Sequence, residues 1–263
     1  MKNCIFDDLR CARHYDIAIM SEIGKRDSQQ DAAYVAATDD DVFAVVCDGM
    51  GGVAGGQLAS STAVEAFTEY YQISNQQGLS NFEWMQAAAE TVDDIVYSLE
   101  NSDGKRIGAG TTLLSVVAHK NQINWLSVGD SRIYIIRGNE IVQVTNDHNY
   151  FMRLNQQKAD GLITPEKYHE ESRQGEALIS FIGMGGLSMI DVNEQAFQMQ
   201  YGDVVLLCTD GLYRAISEEE IRIIVNESSS MQETAEYFNK LILHRDCAFQ
   251  DNYTYILIKY LRG

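Results

Sequence analysis

The sequence predicts an α+β fold in which antiparallel sheets are covered by helices, and three patterns carry that expectation. Period-two alternation and short runs rich in β-branched residues recur along the chain as strands. Apolar residues at helical spacing mark longer segments between them. Strands and helices come in separate blocks, not in the regular alternation a βαβ series requires.

Taken in order, strands are expected at 16–20 and 42–47, followed by helices at 57–71 and 82–99. Leu58, Ala59, Thr62, Ala66 and Tyr70 give the first helix its apolar stripe. Strands at 112–118 and 123–128 are joined across Lys120-Asn121-Gln122, and those at 132–137 and 140–145 turn at Gly138-Asn139. The stretch from 147 to about 186 is polar, weakly patterned and holds Pro165, the sole proline; it reads as a partly helical surface flap. Strands at 196–200 and 204–208 follow. Ser217 with Glu220 forms a capping-box pattern at the head of a helix at 217–225, ahead of a further helix at 231–243 and a strand at 253–259.

With 263 residues, 45% of them hydrophobic, the chain suits one large domain spanning 1–263. Its 38 acidic against 20 basic residues leave a formal charge of −18, which repels a nucleic-acid backbone and an anionic membrane surface. The five cysteines, Cys4, Cys11, Cys47, Cys208 and Cys247, show no C-x-x-C pair, so buried reduced thiols are expected. No signal-peptide stretch opens the chain and no run approaches the ~18 apolar residues of a membrane helix. A soluble, cytoplasmic and monomeric protein is the expectation.

Four times an apolar strand adjoins an aspartate: Asp48-Gly49, Gly129-Asp130, Asp210-Gly211 and Asp251-Asn252. Any one of these is ordinary turn chemistry. Four together describe carboxylates fixed at strand ends, able to converge where a hard cation such as Mg²⁺ or Mn²⁺ takes oxygen ligands. Held close without cations they would repel one another or take up protons.

The ordered series Gly24-Lys25-Arg26-Asp27-Ser28-Gln29-Gln30-Asp31, Val46-Cys47-Asp48-Gly49-Met50-Gly51-Gly52, Gly110-Thr111-Thr112 and Gly129-Asp130-Ser131-Arg132 resembles the PP2C-type, metal-dependent PPM phosphatase family. Asp147-His148, Cys208-Thr209-Asp210-Gly211 and Asp251-Asn252-Tyr253-Thr254 continue it, and Gly161-Leu162-Ile163-Thr164-Pro165-Glu166 is similar to bacterial members. The resemblance runs from about Asp16 to Lys259. It implies a four-layer αββα sandwich and removal of phosphate from serine or threonine of proteins, the products of a Ser/Thr kinase.

By the same resemblance, Asp48 and the Gly49 carbonyl bind two central Mn²⁺ or Mg²⁺ ions with Asp210 and Asp251. Asp31 acts behind them, with Gln30 and Asn252 nearby. Asp130 with Asp210 holds a third, weaker ion near Thr112, and Arg26 grips the substrate phosphate, which suits a guanidinium fork. The implied chemistry is direct hydrolysis by water bridging metals about 3.5–4 Å apart.

Two departures stand out. Met50 follows Asp-Gly where many eukaryotic members have a histidine, and a thioether cannot donate a proton. Gln30 replaces a frequent glutamate, removing one negative charge beside the metals.

Competing readings are weaker. Gly49-Met50-Gly51-Gly52-Val53-Ala54 spells G-x-G-x-x-A, but Asp48 would face the pyrophosphate and the later acidic residue falls in a helix. Walker, G-x-S-x-G and H-E-x-x-H motifs are missing, and His14, His119, His148, His169 and His244 have no ligand spacing. A catalytically silent phosphoprotein-binding member and a small-molecule phosphomonoesterase remain as alternatives.

Overall fold

A computed structural model describes residues 4–6, 12–77 and 79–261. Numbered in chain order, one sheet runs β1 (Cys4–Phe6), β3 (Asp31–Ala37), β4 (Asp41–Met50), β6 (Leu113–His119), β7 (Gln122–Val128), β10 (Asp191–Val192). Two short strands join it, β5 (Gly110–Thr111) on β4 and β11 (Phe197–Gln198) on β7. The second sheet runs β2 (Tyr15–Glu22), β13 (Tyr253–Tyr260), β12 (Val204–Cys208), β8 (Arg132–Arg137), β9 (Glu140–Gln143). Every pairing is antiparallel except that of β1 with β3.

Strand periodicity builds the layers. On β4, Phe43, Val45 and Cys47 point into an outer cluster with Phe67, Trp84 and Met85 of helices α1 (Val53–Gln77) and α2 (Asn81–Tyr97). Val42, Ala44 and Val46 point the other way, onto Val205, Leu207, Ile256 and Ile258 of the second sheet. That sheet's outer face, through Leu206, Cys208 and Leu257, packs on Ile221, Met231, Phe238 and Ile242 of helices α6 (Glu218–Glu227) and α7 (Met231–Arg245). The result is helix, sheet, sheet, helix. Central strands buried on both faces read as unbroken apolar runs, and each large side chain so buried contributes about 1.5–3 kcal/mol.

Between β9 and β10 the polar stretch forms α3 (Tyr150–Ala159), α4 (Pro165–Glu171) and a 3₁₀ turn at Ser172–Gln174. Asn149 and Thr164 cap the two helices, and α4 buries no residue. Asp93 of α2, 1% exposed, then secures the following loop: its carboxylate accepts the backbone N–H groups of Gly183, Met184 and Gly186 at 2.6, 3.0 and 2.6 Å.

Several expectations need correction. The strand expected at 196–200 shrinks to Phe197–Gln198, and the helix expected at 57–71 extends over Val53–Gln77. Strand β3 escapes the pattern because its sequence, DAAYVAA, gives alanines little alternation. Cys47 and Cys208 are buried as expected, whereas Cys247 is exposed. Cys11 lies outside the described residues, and so does the side chain of Cys4.

Candidate active site

Antiparallel pairing brings strand ends from both sheets to one edge of the sandwich. Asp31 at the head of β3 stands opposite Asp48 near the end of β4. Asp210 follows β12 at the start of the short helix α5 (Asp210–Tyr213), and Asp251 immediately precedes β13. A cavity of about 380 Å³ opens there, lined by Asp48, Gly49, Met50, Asp210, Asp251, Asn252, Arg26 and Gln30 among others.

Backbone contacts fix these positions. Thr111 Oγ1 donates to the Asp48 carbonyl at 2.8 Å, while the Asp48 N–H donates to Thr112 Oγ1 at 2.9 Å. Thr112 in turn shares a 2.8 Å hydrogen bond with Ser131 beside Asp130. Asn252 accepts the Gln30 N–H at 2.8 Å and donates to the carbonyls of Ile23 and Ser28, so it ties the Arg26 loop to β13. Glycine is required at 49 because a Cβ there would lie 2.1 Å from the Gly56 carbonyl oxygen. Gln30 donates to the Gly52 carbonyl at 3.1 Å.

The electrostatics are those of crowded acids. Burial, then the charges of Asp31, Asp210, Asp130 and Asp251, pushes the Asp48 carboxyl well above its ordinary range. Burial raises Asp31 to about 7, against hydrogen bonds from Thr254 and Thr209, with Asp210 and Asp251 adding to the rise. One of its oxygens, Oδ1, is buried without a hydrogen-bond partner. Asp210 is raised by burial and opposed by Arg214.

Two carboxylates have arginine partners. Asp251 Oδ2 accepts from Arg26 at 2.6 Å, and Asp210 Oδ2 lies 3.0 Å from Arg214 Nε. Among the described residues no three acidic, histidine or cysteine side chains form a closed ligand set as they stand. The donor chemistry nevertheless fits hard divalent cations: oxygen ligands only, excess negative charge, and an orphaned carboxylate oxygen at Asp31.

Asp130 is placed differently from the others. It sits in the turn after β7, nearly buried, and does not line the cavity. Burial raises its carboxyl to about 7, helped by Asp210 and Asp147 and opposed by Arg214. The same turn is held by His148, fully buried, whose Nδ1 accepts the Gly129 N–H at 3.2 Å. Sequence reasoning misses Arg214 and Glu176. An arginine four residues after Asp210 is a readable helical pair, but nothing local marks Glu176.

Comparison with known proteins bears on the family and the fold. The profile of the family described as protein phosphatase 2C matches residues 20–244. A serine/threonine phosphatase, stp, of Listeria welshimeri is 28% identical over 225 residues, covering 84% of this chain and 85% of that protein. The protein phosphatase PhpP of Streptococcus pneumoniae is 29% identical over 225 residues, covering 84% and 88%. The crystal structure of the Mycobacterium tuberculosis serine/threonine phosphatase PstP/Ppp superposes with a TM-score of 0.75 at 26% identity, over 95% of this chain and 100% of that one. This chain therefore belongs to the protein phosphatase 2C family, a family of Mn²⁺- or Mg²⁺-dependent protein serine/threonine phosphatases.

Proposed function

We propose that the chain hydrolyses phosphoserine and phosphothreonine of proteins at the Asp48–Asp210–Asp251 cavity. One observation carries this reading: a buried Asp48 carboxylate raised by burial and by four acidic neighbours, at the wall of an open cavity that also presents Arg26. Such an arrangement is costly unless it serves cations.

Asp48, the Gly49 carbonyl, Asp210 and Asp251 would hold two Mn²⁺ or Mg²⁺ ions, with Asp31 behind them. Bound there, the ions supply Lewis acidity, lowering the pKa of water and neutralising phosphate charge. A third, weaker ion would be held by Asp130 together with Asp210. Arg26, on the rim, presents its guanidinium to the substrate phosphate in the ground and transition states alike. Thr111 and Thr112 hold the Asp48 backbone still, and Asn252 fixes the loop that carries Arg26. Met50 lines the cavity without a proton to give, so the departing serine oxygen must take its proton from a source other than this side chain.

The similarity to proteins named serine/threonine phosphatases and protein phosphatase favours a phosphoprotein over a small molecule as substrate. We further propose one catalytic domain with 147–186 as its flap, acting as a cytoplasmic monomer on products of a Ser/Thr kinase. No described helix is long and apolar enough to cross a membrane. A phosphoserine and phosphothreonine peptide panel, assayed with Mn²⁺ and with EDTA, tests the reading. Mn²⁺-dependent phosphate release that Asp48→Asn removes is expected; binding of phosphopeptide without turnover would favour a silent binding member instead.

A further inference from the structure

Fully buried His148 grips both backbone polar groups of Gly129, the residue that leads into Asp130. Its Nδ1 accepts the Gly129 N–H at 3.2 Å, and its own N–H donates to the Gly129 carbonyl at 2.9 Å. Tyr213 of α5 holds the far side of the turn, its hydroxyl donating to the Asp130 carbonyl at 3.1 Å. The peptide planes on both sides of the Asp130 Cα are therefore held, which fixes the direction of its Cα–Cβ bond. Both holds come from the 147–186 stretch: His148 lies at its start, and Arg214, next to Tyr213, pairs with Glu176 at 3.0 Å.

An imidazole whose Nδ1 accepts a hydrogen bond carries its proton on Nε2. That nitrogen faces Asp191 Oδ1 at 3.4 Å. Asp191 belongs to β10, which pairs with the end of β7 that runs into Gly129, and its other oxygen accepts the Asn146 N–H at 2.7 Å and the Asn146 side-chain amide at 2.9 Å. The His148 carbonyl accepts the Ile179 N–H at 2.9 Å, from the other leg of the stretch. Asp191, His148 and Gly129 thus form a line from the base of the stretch to the Asp130 turn.

We propose that His148 is a positioning residue for Asp130, neutral with its proton on Nε2 toward Asp191, and that through it the base of the 147–186 stretch aims the Asp130 carboxylate. The inference rests on the reading of Asp130 as a ligand of the weaker ion and goes beyond it, since neither His148 nor Asp191 lines the cavity. An apolar side chain would fill the same buried volume. An imidazole there, with one nitrogen on a peptide N–H and the other toward a carboxylate, specifies an orientation as well.

Two variants of the full chain differ only in the group that matters: His148→Leu and His148→Asn have the same shape, but asparagine offers an oxygen near the place of Nδ1. His148→Leu should raise the Mn²⁺ concentration for half-maximal turnover of a phosphopeptide roughly 10- to 100-fold, with KM for the peptide little changed. In EDTA the same variant should exchange the Gly129 amide hydrogen faster, and His148→Asn should restore most of both properties. On an Asp130→Asn background His148→Leu should add little further loss. Nitrogen NMR of the metal-free wild type should show Nδ1 bare and Nε2 protonated; the opposite tautomer overturns the proposal even if His148→Leu fails to fold. A Mn²⁺ requirement raised by Asp130→Asn but not by His148→Leu also overturns it. A requirement that Asp130→Asn leaves unchanged overturns the metal reading of Asp130, and the positioning role with it.

Discussion

Arg26 Nη2 lies 2.6 Å from Asp251 Oδ2 across a cavity that both residues line. Under the proposed assignment one side chain would hold phosphate and the other a cation, so each ties up its partner until ligands arrive. Releasing the pair costs little, because both groups are substantially exposed. Arg26→Ala should therefore leave Mn²⁺ affinity intact or improved while weakening phosphate capture. A charge-assisted hydrogen bond is worth about 1.5–3 kcal/mol, so KM on a phosphopeptide should rise roughly 10- to 100-fold. An unchanged KM would make Arg26 a purely structural residue.

The metal-free protein should become less stable as pH rises through neutrality. Asp31 and Asp130 titrate near 7 in the folded chain, above their ordinary value of 3.8. Between those values the folded state holds protons that the unfolded state has released, so unfolding free energy falls with increasing pH. The contribution is fully present below about pH 4 and lost as pH passes 7. In EDTA, Tm should decline from pH 5 to pH 8, and saturating Mn²⁺ should remove most of the decline. Asp130→Asn should stabilise the metal-free chain at pH 8 by roughly 1–3 kcal/mol. A Tm that climbs with pH in EDTA would refute the account.

Gly49→Ala tests the close approach of two backbones. Its Cβ would sit 2.1 Å from the Gly56 carbonyl oxygen and 2.6 Å from that of Gln30, and neither is a flexible side chain. The β4 end must then move away from the head of α1, carrying Asp48 with it. Urea denaturation should show a loss of about 3 kcal/mol or more. Calorimetry should show tight Mn²⁺ binding lost as well; a variant with normal stability and normal Mn²⁺ binding would mean the strand end is not held as described.

What the sequence discloses of the site is what local chemistry marks. Asp48, Asp210 and Asp251 announce themselves because apolar strands run into them, and strand ends are where a sheet aims side chains at a common edge. Asp31 is visible only through the family resemblance, since the alanine-rich β3 conceals the strand it begins. Asp93 stays hidden for another reason. It looks like one more polar residue of an amphipathic helix, yet it is buried and holds three N–H groups some ninety residues away. Glu176 is hidden likewise: its partner is set by tertiary packing of an irregular stretch, which no spacing rule reports. The glycines of that stretch do signal turns, and Gly183, Gly185 and Gly186 all adopt positive φ.

The surface helix α4 should govern which protein is recognised, not how phosphate is cleaved. It buries no residue, and Leu162 just before it is 77% exposed. Its ties to the rest of the stretch are peripheral: Tyr168 donates to Asn155 of α3, and Glu171 accepts from Tyr150. Replacing 162–170 with a short glycine-serine linker removes this surface while leaving Asp147, Glu176 and the Asp93-anchored loop in place. Such a variant should retain its rate on a small aryl phosphate, whose phenolate leaves without a proton and touches little beyond the cavity. On a phosphoprotein kcat/KM should drop, mainly through KM, because contacts remote from phosphorus are the ones removed. Parallel measurement on both substrates decides the matter: equal losses would show that α4 supports the catalytic aspartates, and equal retention would show that recognition lies elsewhere on the surface.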